Sequence, residues 1–457
     1  MLIIVSDLHL VDGTSGTPIT AGAFKLFADR INELASSASW RSDDTYRPLE
    51  GIDIILMGDI LDPLHSTQWF NESPGQQSYV RPWTDIRSPD FSAKIYQITN
   101  TILQHNADSL KILRDLSEGK LIQVMPADLL GGMARDTNER IPVPVRIHYM
   151  VGNHDWYYHI PGPQFDSIRA EIIKTMGLSN PITPFPHQAR ESDTIHGLFE
   201  RYKVYAQHGD LFDSLNYDMK LGRDASSLGD ALTIEMINRF PVEVNRRMGG
   251  TLSPDLLISL HEMFNVRPTL VTPLWISGQL RQNNVPQKEQ KKIKAIWDEL
   301  GTEFLDLDIV RAADKRFKFD AVDAMQLILQ LTRRTSFKTI DDIVFWVREK
   351  FMSGNFTFAH NAIKETAFLD RTAQFIVYGH THHHEIVPLD SYPGLKKKPT
   401  NQIYFNTGTW HTYYDLAVYK PREQKFISYQ VLSYVTFFKD DQRGGRRFEA
   451  WSGSFSE

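Results

Sequence analysis

Five short segments concentrate the residue types that bind metal ions and move protons. They are Val5-Ser-Asp-Leu-His9, Gly58-Asp-Ile-Leu-Asp62, Gly152-Asn-His-Asp155, Gln207-His-Gly-Asp210 and Gly379-His-Thr-His382. Asp7, Asp59 and Asn153 offer carboxylate or amide oxygens, and His9, His208, His380 and His382 offer imidazoles. Oxygen and imidazole donors in that mixture are the inventory of a two-metal hydrolytic centre. Two divalent ions roughly 3.5 to 4 Å apart generate a hydroxide at neutral pH and screen the charge of a phosphoryl group during in-line attack. One ligand must then bridge, and Asp59 is the candidate, because a carboxylate has two oxygens and a charge that holds two mutually repelling cations.

Each segment follows a stretch that reads as a strand, the first two being short apolar runs interrupted only by Asp53. Leu2 to Val5 and Ile52 to Met57 read as buried strands, and the stretches 145–151, 202–206 and 375–378 precede Gly152, His208 and Gly379. Open α/β sheets gather their ligands in the crevice at such strand ends. Taken singly, the pieces carry little. Asp-x-His is commonly a surface pair, Gly-Asn-His-Asp commonly a turn, and a lone histidine commonly a hydrogen-bonded core residue.

In order, the segments resemble the calcineurin-like metallophosphoesterases, whose pattern runs Asp-x-His, Gly-Asp-x-x-Asp, Gly-Asn-His-Asp or Glu, a lone His, then Gly-His-x-His. The resemblance implies an α/β fold, a four-layer αββα sandwich. It implies Asp7, His9 and His382 at the first metal, Asn153, His208 and His380 at the second, and Asp59 between them. His154 stays free of metal in that pattern and stabilises or protonates the leaving oxygen, a task suited to an imidazole. Asp62 and Asp155 complete the motifs as supporting or substrate-contacting residues. Asn406 and Thr407, in Asn-Thr-Gly408, are either supports of the metal site or members of a plain turn. The implied cofactors are two divalent ions, Mn, Fe, Zn or Co, with Mn first among them.

Departures from two subfamily patterns narrow the substrate. Protein phosphatases of this superfamily carry Gly-Asp-x-Val-Asp-Arg-Gly and Gly-Asn-His-Glu, whereas Asp62 is followed by Pro63-Leu64 and Asp155 stands in place of Glu. Purple acid phosphatases use a tyrosine where Asp62 stands. The expected activity is hydrolysis of a phosphomonoester or phosphodiester by a hydroxide held between the metals. A DNA or RNA nuclease is the first alternative and a non-catalytic scaffold binding proteins the second.

A chain of 457 residues exceeds the usual single core, so large insertions are expected. The formal charge of -6 counts against a general nucleic-acid binder. With no cysteine there are neither disulfides nor thiolate ligands. A first strand at Leu2 leaves no room for a signal peptide, and no apolar run is long enough to span a membrane, so cytoplasmic residence is expected.

The spacing predicts a core built from residues 1–210 and 371–457, with 211–370 as a helical insertion that caps the site and selects the substrate. Helices are expected over Ala21 to Ala35 and Ser92 to Leu116, a long loop over Pro63 to Asp90 and a polar insertion over Pro126 to Pro144. Within the cap, apolar stripes run through Leu232 to Ile237, Leu256 to Leu260, Ile293 to Leu300, Val322 to Leu329 and Ile340 to Phe351. Lys288, Lys291, Lys292 and Lys294, mixed with Glu289, Asp298 and Glu299, read as a solvated helix face. His383 and His384 read as loop residues facing solvent or supporting the site.

Overall fold

Apolar runs become buried strands. Leu2–Val5 (β1) and Ile52–Met57 (β2) are covered at every position, and the helix Ala21–Ala38 (α1) makes the crossover that their parallel pairing requires. The computed structural model describes residues 1–76, 78–267, 271–313, 357–394, 399–417, 419–439 and 441–455. The segment expected as one helix from Ser92 is two, Pro89–His105 (α2) and Ala107–Ser117 (α3). Asn106 breaks it. Its side-chain amide donates to the carbonyls of Val11 and Ile102, each at 2.8 Å, and fixes a non-helical backbone at φ −100° and ψ 20°.

The polar insertion before the third large strand is closed at its base by Gln123–Val124 (β3) and Ile141–Pro142 (β4). Val145–Met150 (β5) then pairs parallel with β2. Pro163–Met176 (α4) and Asp193–Tyr202 (α5) lead to Val204–Ala206 (β6), which opens a second sheet.

The described part of 211–370 is mainly helical: Leu228–Leu232 (α6), Arg239–Met248 (α7), Pro254–His261 (α8), Val266–Arg267 (β7), Thr272–Gln282 (α9), Gln287–Leu305 (α10), Asp308–Ala313 (α11), Ala359–Ala362 (α12) and Thr366–Leu369 (α13). Phe240, Leu256, Leu274, Ile293 and Trp297 form its own core, to which Leu416 also belongs. β7 adds to the first sheet and Ile234 enters the main core, so this segment is fastened to the sheet edge. Lys294 departs from the expected solvated face: it is buried and paired with Asp298. The stripes expected at Val322 to Leu329 and Ile340 to Phe351 lie outside the described residues.

The chain closes with Phe375–Tyr378 (β8), His384–Pro393 (β9), Pro399–Thr407 (β10), His411–Leu416 (β11), Phe426–Phe437 (β12) and Phe448–Phe455 (β13). β5, β2, β1 and β12 adjoin in that order, and β12 also pairs with β11 and β13. The second sheet runs β6, β8, β10, β9. His384 is therefore the first residue of a strand and not a loop residue.

Alternation along the strands gives each sheet two faces. Leu2, Ile4, Ile55, Val435 and Phe437 of the first sheet share one core with Phe375, Val377 and Phe405 of the second. On the far side of the first sheet, Ile3, Val5, Ile54 and Ile147 pack with residues of α1 to α4. On the far side of the second, Ile376, Tyr378 and Tyr404 pack with Ala359 and Ala362. The architecture is mixed α/β. No helix among the described residues is long and apolar enough to cross a membrane.

Candidate metal centre

β1, β2 and β5 run parallel in one sheet, and β6 and β8 run parallel in the other. The loops at their carboxyl ends converge and bring together Asp7, His9, Asp59, Asn153, His154, His208, His380 and His382. The backbone there is unusual. Asp7, His9, Asp59, His380 and His382 have φ of 55°, 45°, 55°, 67° and 62°, in the left-handed region that residues with a Cβ seldom occupy. Strain of this kind persists where the surroundings impose it, and it clusters at functional sites. Here the amide of Asp7 donates to the carbonyl of Gly58 at 3.0 Å and that of His9 to the carbonyl of Asp59 at 2.9 Å, lacing two loops together. Gly58, at φ 84°, and Gly152 are needed at this approach. A Cβ on Gly58 would lie 2.6 Å from Nδ1 of His208, and one on Gly152 would run into the Asp59 carboxylate.

In the first group, Nε2 of His382 lies 3.0 Å from Nε2 of His9 and 3.2 Å from Oδ1 of Asp7. His9 donates from Nδ1 to Asp62 Oδ2 at 2.7 Å, so its Nε2 turns a lone pair inward. Asp7 Oδ1 is buried with no hydrogen-bond partner. In the second group, Nδ1 of His208 donates to the carbonyl of Met57 at 3.0 Å, which fixes the tautomer. Its Nε2 then faces Asp59 Oδ2 at 3.1 Å and Asn153 Oδ1 at 3.2 Å. His380 completes this group, with Asp59, His208 and His380 offering ligand atoms within 4.8 Å of one another. Asp59 Oδ2 also lies 3.8 Å from Nε2 of His9, so one carboxylate reaches toward both groups.

Lone pairs and anionic oxygens this close repel unless positive charge lies among them. Burial pushes the Asp7 carboxyl up and the charge of Asp59 adds to the effect. Burial works against a charged His208, yet Asp59 and Asp7 together push it up to about 10. A buried, electron-rich cluster with an orphaned carboxylate oxygen is what a pair of divalent cations would satisfy, and these donors fit ions that accept imidazole and oxygen.

Asp62 orders the neighbouring imidazoles. Its Oδ2 accepts from Nδ1 of His9, His65 and His154 at 2.7, 2.8 and 2.9 Å. His154 is also held by its backbone amide, 2.8 Å from Asp59 Oδ1, and its side chain is 16% exposed, against 9% or less for His9, His208, His380 and His382. Burial opposes its charge, but Asp62 and Asp59 push it up to about 9. Asp155 is fully engaged, accepting from the amides of Ile60 and Gly152 and from the Tyr149 hydroxyl at 2.9, 2.6 and 2.7 Å; it braces the loops and reaches no ligand position. Asn406 donates to the carbonyl of Gly379 at 2.7 Å and Thr407 to that of Tyr378 at 3.2 Å, and Thr407 also meets Ser6, so both support the turns behind Asp7 and His380.

His65 belongs to this cluster although no motif marks it. It stacks on His154 with ring centroids 5.2 Å apart, and Phe264 from the helical segment packs against it at a tilt with centroids 3.8 Å apart. Burial pushes its pKa down to about 4, against the pull of Asp62. A folded pKa below the unfolded value near 6.5 means that the unfolded chain binds the extra proton first. Stability from His65 is then complete above about pH 6.5 and falls as pH drops toward 4, by up to about 3 kcal/mol. Denaturant unfolding at a series of pH values should show His65→Gln losing less stability over that window than the wild type. Equal losses would remove His65 as a source of acid sensitivity.

The segment after His208 supplies further groups that carry no motif. Asp213 Oδ2 lies 3.1 Å from Nε2 of His380, and Asn216 accepts from Asn153 Nδ2 at 3.3 Å. Asn153, Asn216, Arg223 and Asp230 line a cleft beside the second group. Arg223 Nη2 donates to both oxygens of Asp210 at 2.8 and 3.0 Å, while its Nε and Nη1 are buried without partners. Models of known protein families give no match to this chain, and neither do curated proteins.

Proposed function

We propose that the chain is a metal-dependent phosphoesterase, with Asp7, His9 and His382 holding one divalent ion, Asn153, His208 and His380 a second, and Asp59 both. The observation that carries this is the inward convergence of His9 Nε2, His208 Nε2, Asp59 Oδ2 and the unpartnered Asp7 Oδ1. The order of covered faces, helices, sheet, sheet, helices, is the one a four-layer αββα sandwich would have. Two divalent ions supply an activated water at neutral pH and neutralise charge on the phosphoryl oxygens. His154, whose protonated form Asp62 favours and whose Nδ1 Asp62 grips, keeps Nε2–H for the leaving oxygen.

Elemental analysis of purified protein, with a panel of phosphomonoesters and phosphodiesters assayed with and without chelator, tests the proposal. Two tightly held ions and chelator-sensitive hydrolysis are expected. Protein that holds no ion, or hydrolyses equally well in chelator, would overturn it.

Arg223 is the substrate-facing residue in this proposal. Arg223 lines the cleft that Asn153 also lines, and the oxygens of a phosphoryl group entering there would suit a guanidinium whose buried Nε and Nη1 have no partner. A hydrogen bond to a charged group contributes about 1.5 to 3 kcal/mol. Arg223→Ala should therefore lower kcat/KM by about 10- to 100-fold, mainly through KM, with both ions retained. An unchanged KM would exclude this contact.

A further inference from the structure

A second cluster of metal-binding side chains lies outside the centre described above. His159 comes from the 3-10 turn Trp156–His159, His187 from the segment joining α4 to α5, and Asp224 from the loop before α6. Nδ1 of His159 lies 2.6 Å and Nε2 of His187 3.5 Å from the same oxygen, Oδ1 of Asp224. All three ligand atoms fall within 4.8 Å of one another. We propose that His159, His187 and Asp224 form a third divalent-cation site, open on one side and selective for zinc-like ions.

The ordinary alternative is a pair of histidines held by hydrogen bonds alone, and His187 argues against it. Its side chain is 2% exposed, Nδ1 has no partner, and Nε2 has only the long contact to Asp224. A buried imidazole so weakly satisfied at both nitrogens is costly, and a cation at Nε2 would compensate it. His159 carries the support expected of a ligand. Its other nitrogen, Nε2, faces Glu191 Oε2 at 3.7 Å, and the amides of His187 and Gln188 hold that oxygen at 2.8 and 3.3 Å. A carboxylate behind a histidine is the common way of orienting a metal-bound ring.

The guanidinium of neighbouring Arg223 is turned to Asp210. Two imidazoles and one carboxylate suit zinc and its first-row neighbours, whereas calcium and magnesium favour oxygen alone. His159 at 25% and Asp224 at 38% exposure leave room for water at a fourth position, as in open three-ligand zinc sites.

Zinc titration of the full-length chain by calorimetry, with elemental analysis after gel filtration, tests the site. The wild type should bind one zinc equivalent more than His159→Ala or Asp224→Asn, and Asp59→Asn should keep that equivalent. Glu191→Gln should keep it too, with affinity lower by about 10- to 100-fold. Asp224→Asn is nearly isosteric and serves as the folded control if His159→Ala unfolds. Equal stoichiometry and affinity in the wild type and both ligand variants would overturn the third site. Failure of the phosphoesterase proposal would look different, since the equivalents sensitive to Asp59→Asn would then be the ones missing.

Discussion

Asp59→Asn is expected to lower occupancy at both cation positions and to reduce turnover by about 10³-fold, the equivalent of several kcal/mol of lost charge stabilisation. The effect should be separable from folding. Asp59 Oδ2 lies 3.1 Å from His208 Nε2, and the charge of Asp59 is the largest influence favouring a protonated His208, so its loss leaves Nε2 as an acceptor while Nδ1 donates to Met57. An asparagine amide at that position would donate to His208, and its remaining oxygen would still accept the His154 amide now 2.8 Å from Asp59 Oδ1. Thermal melting of chelator-treated variant should therefore stay close to that of the wild type, while elemental analysis shows fewer ions. Asp7→Ala and His382→Ala should act chiefly at the first position, since their atoms meet 3.2 Å apart there. Full occupancy and a wild-type rate in Asp59→Asn would show that no carboxylate is shared.

The strands that deliver these residues were readable because β1 and β8 are continuous apolar runs and β2 is one apart from Asp53, all three are buried at every position, and each stops just short of a polar motif. The broken helix at Asn106 was not readable, because one of its causes is a tertiary contact, the carbonyl of Val11. β9 escaped for another reason. Its residues are half-exposed or exposed throughout, and pairing with β10 defines it more than any apolar pattern does. Within the site, His65 was within reach, since Asp62-x-x-His65 is a spacing that lets a carboxylate and an imidazole meet across one turn. Asp213, Asn216 and Arg223 were not, since they arrive from the segment after His208 by folding and no local pattern marks them. The left-handed backbone at Asp7, His9 and Asp59 is equally silent in sequence, because aspartate and histidine do not announce a positive φ as glycine does.

His154→Ala should keep both ions and still lose about 10²- to 10⁴-fold in turnover, the range for removing a positioned acid or base. Retention of the ions follows from what surrounds the ring. Asp62 keeps His9 and His65 at 2.7 and 2.8 Å after the third imidazole is gone, so His9 remains oriented by the same carboxylate. The backbone amide of residue 154 still reaches Asp59. What disappears is the most exposed of these imidazoles and the one that Asp62 and Asp59, against the effect of burial, keep protonated. A proton donor matters most when the departing oxygen is basic, so the loss should be large for alkyl esters and small for nitrophenyl esters, whose leaving group needs little protonation in the transition state. On alkyl esters, an alkaline decline caused by deprotonation of this ring should be present in the wild type and absent from the variant. Equal losses on both ester classes would mean that His154 stabilises phosphoryl charge instead of protonating the leaving oxygen, and loss of an ion would make it a metal ligand.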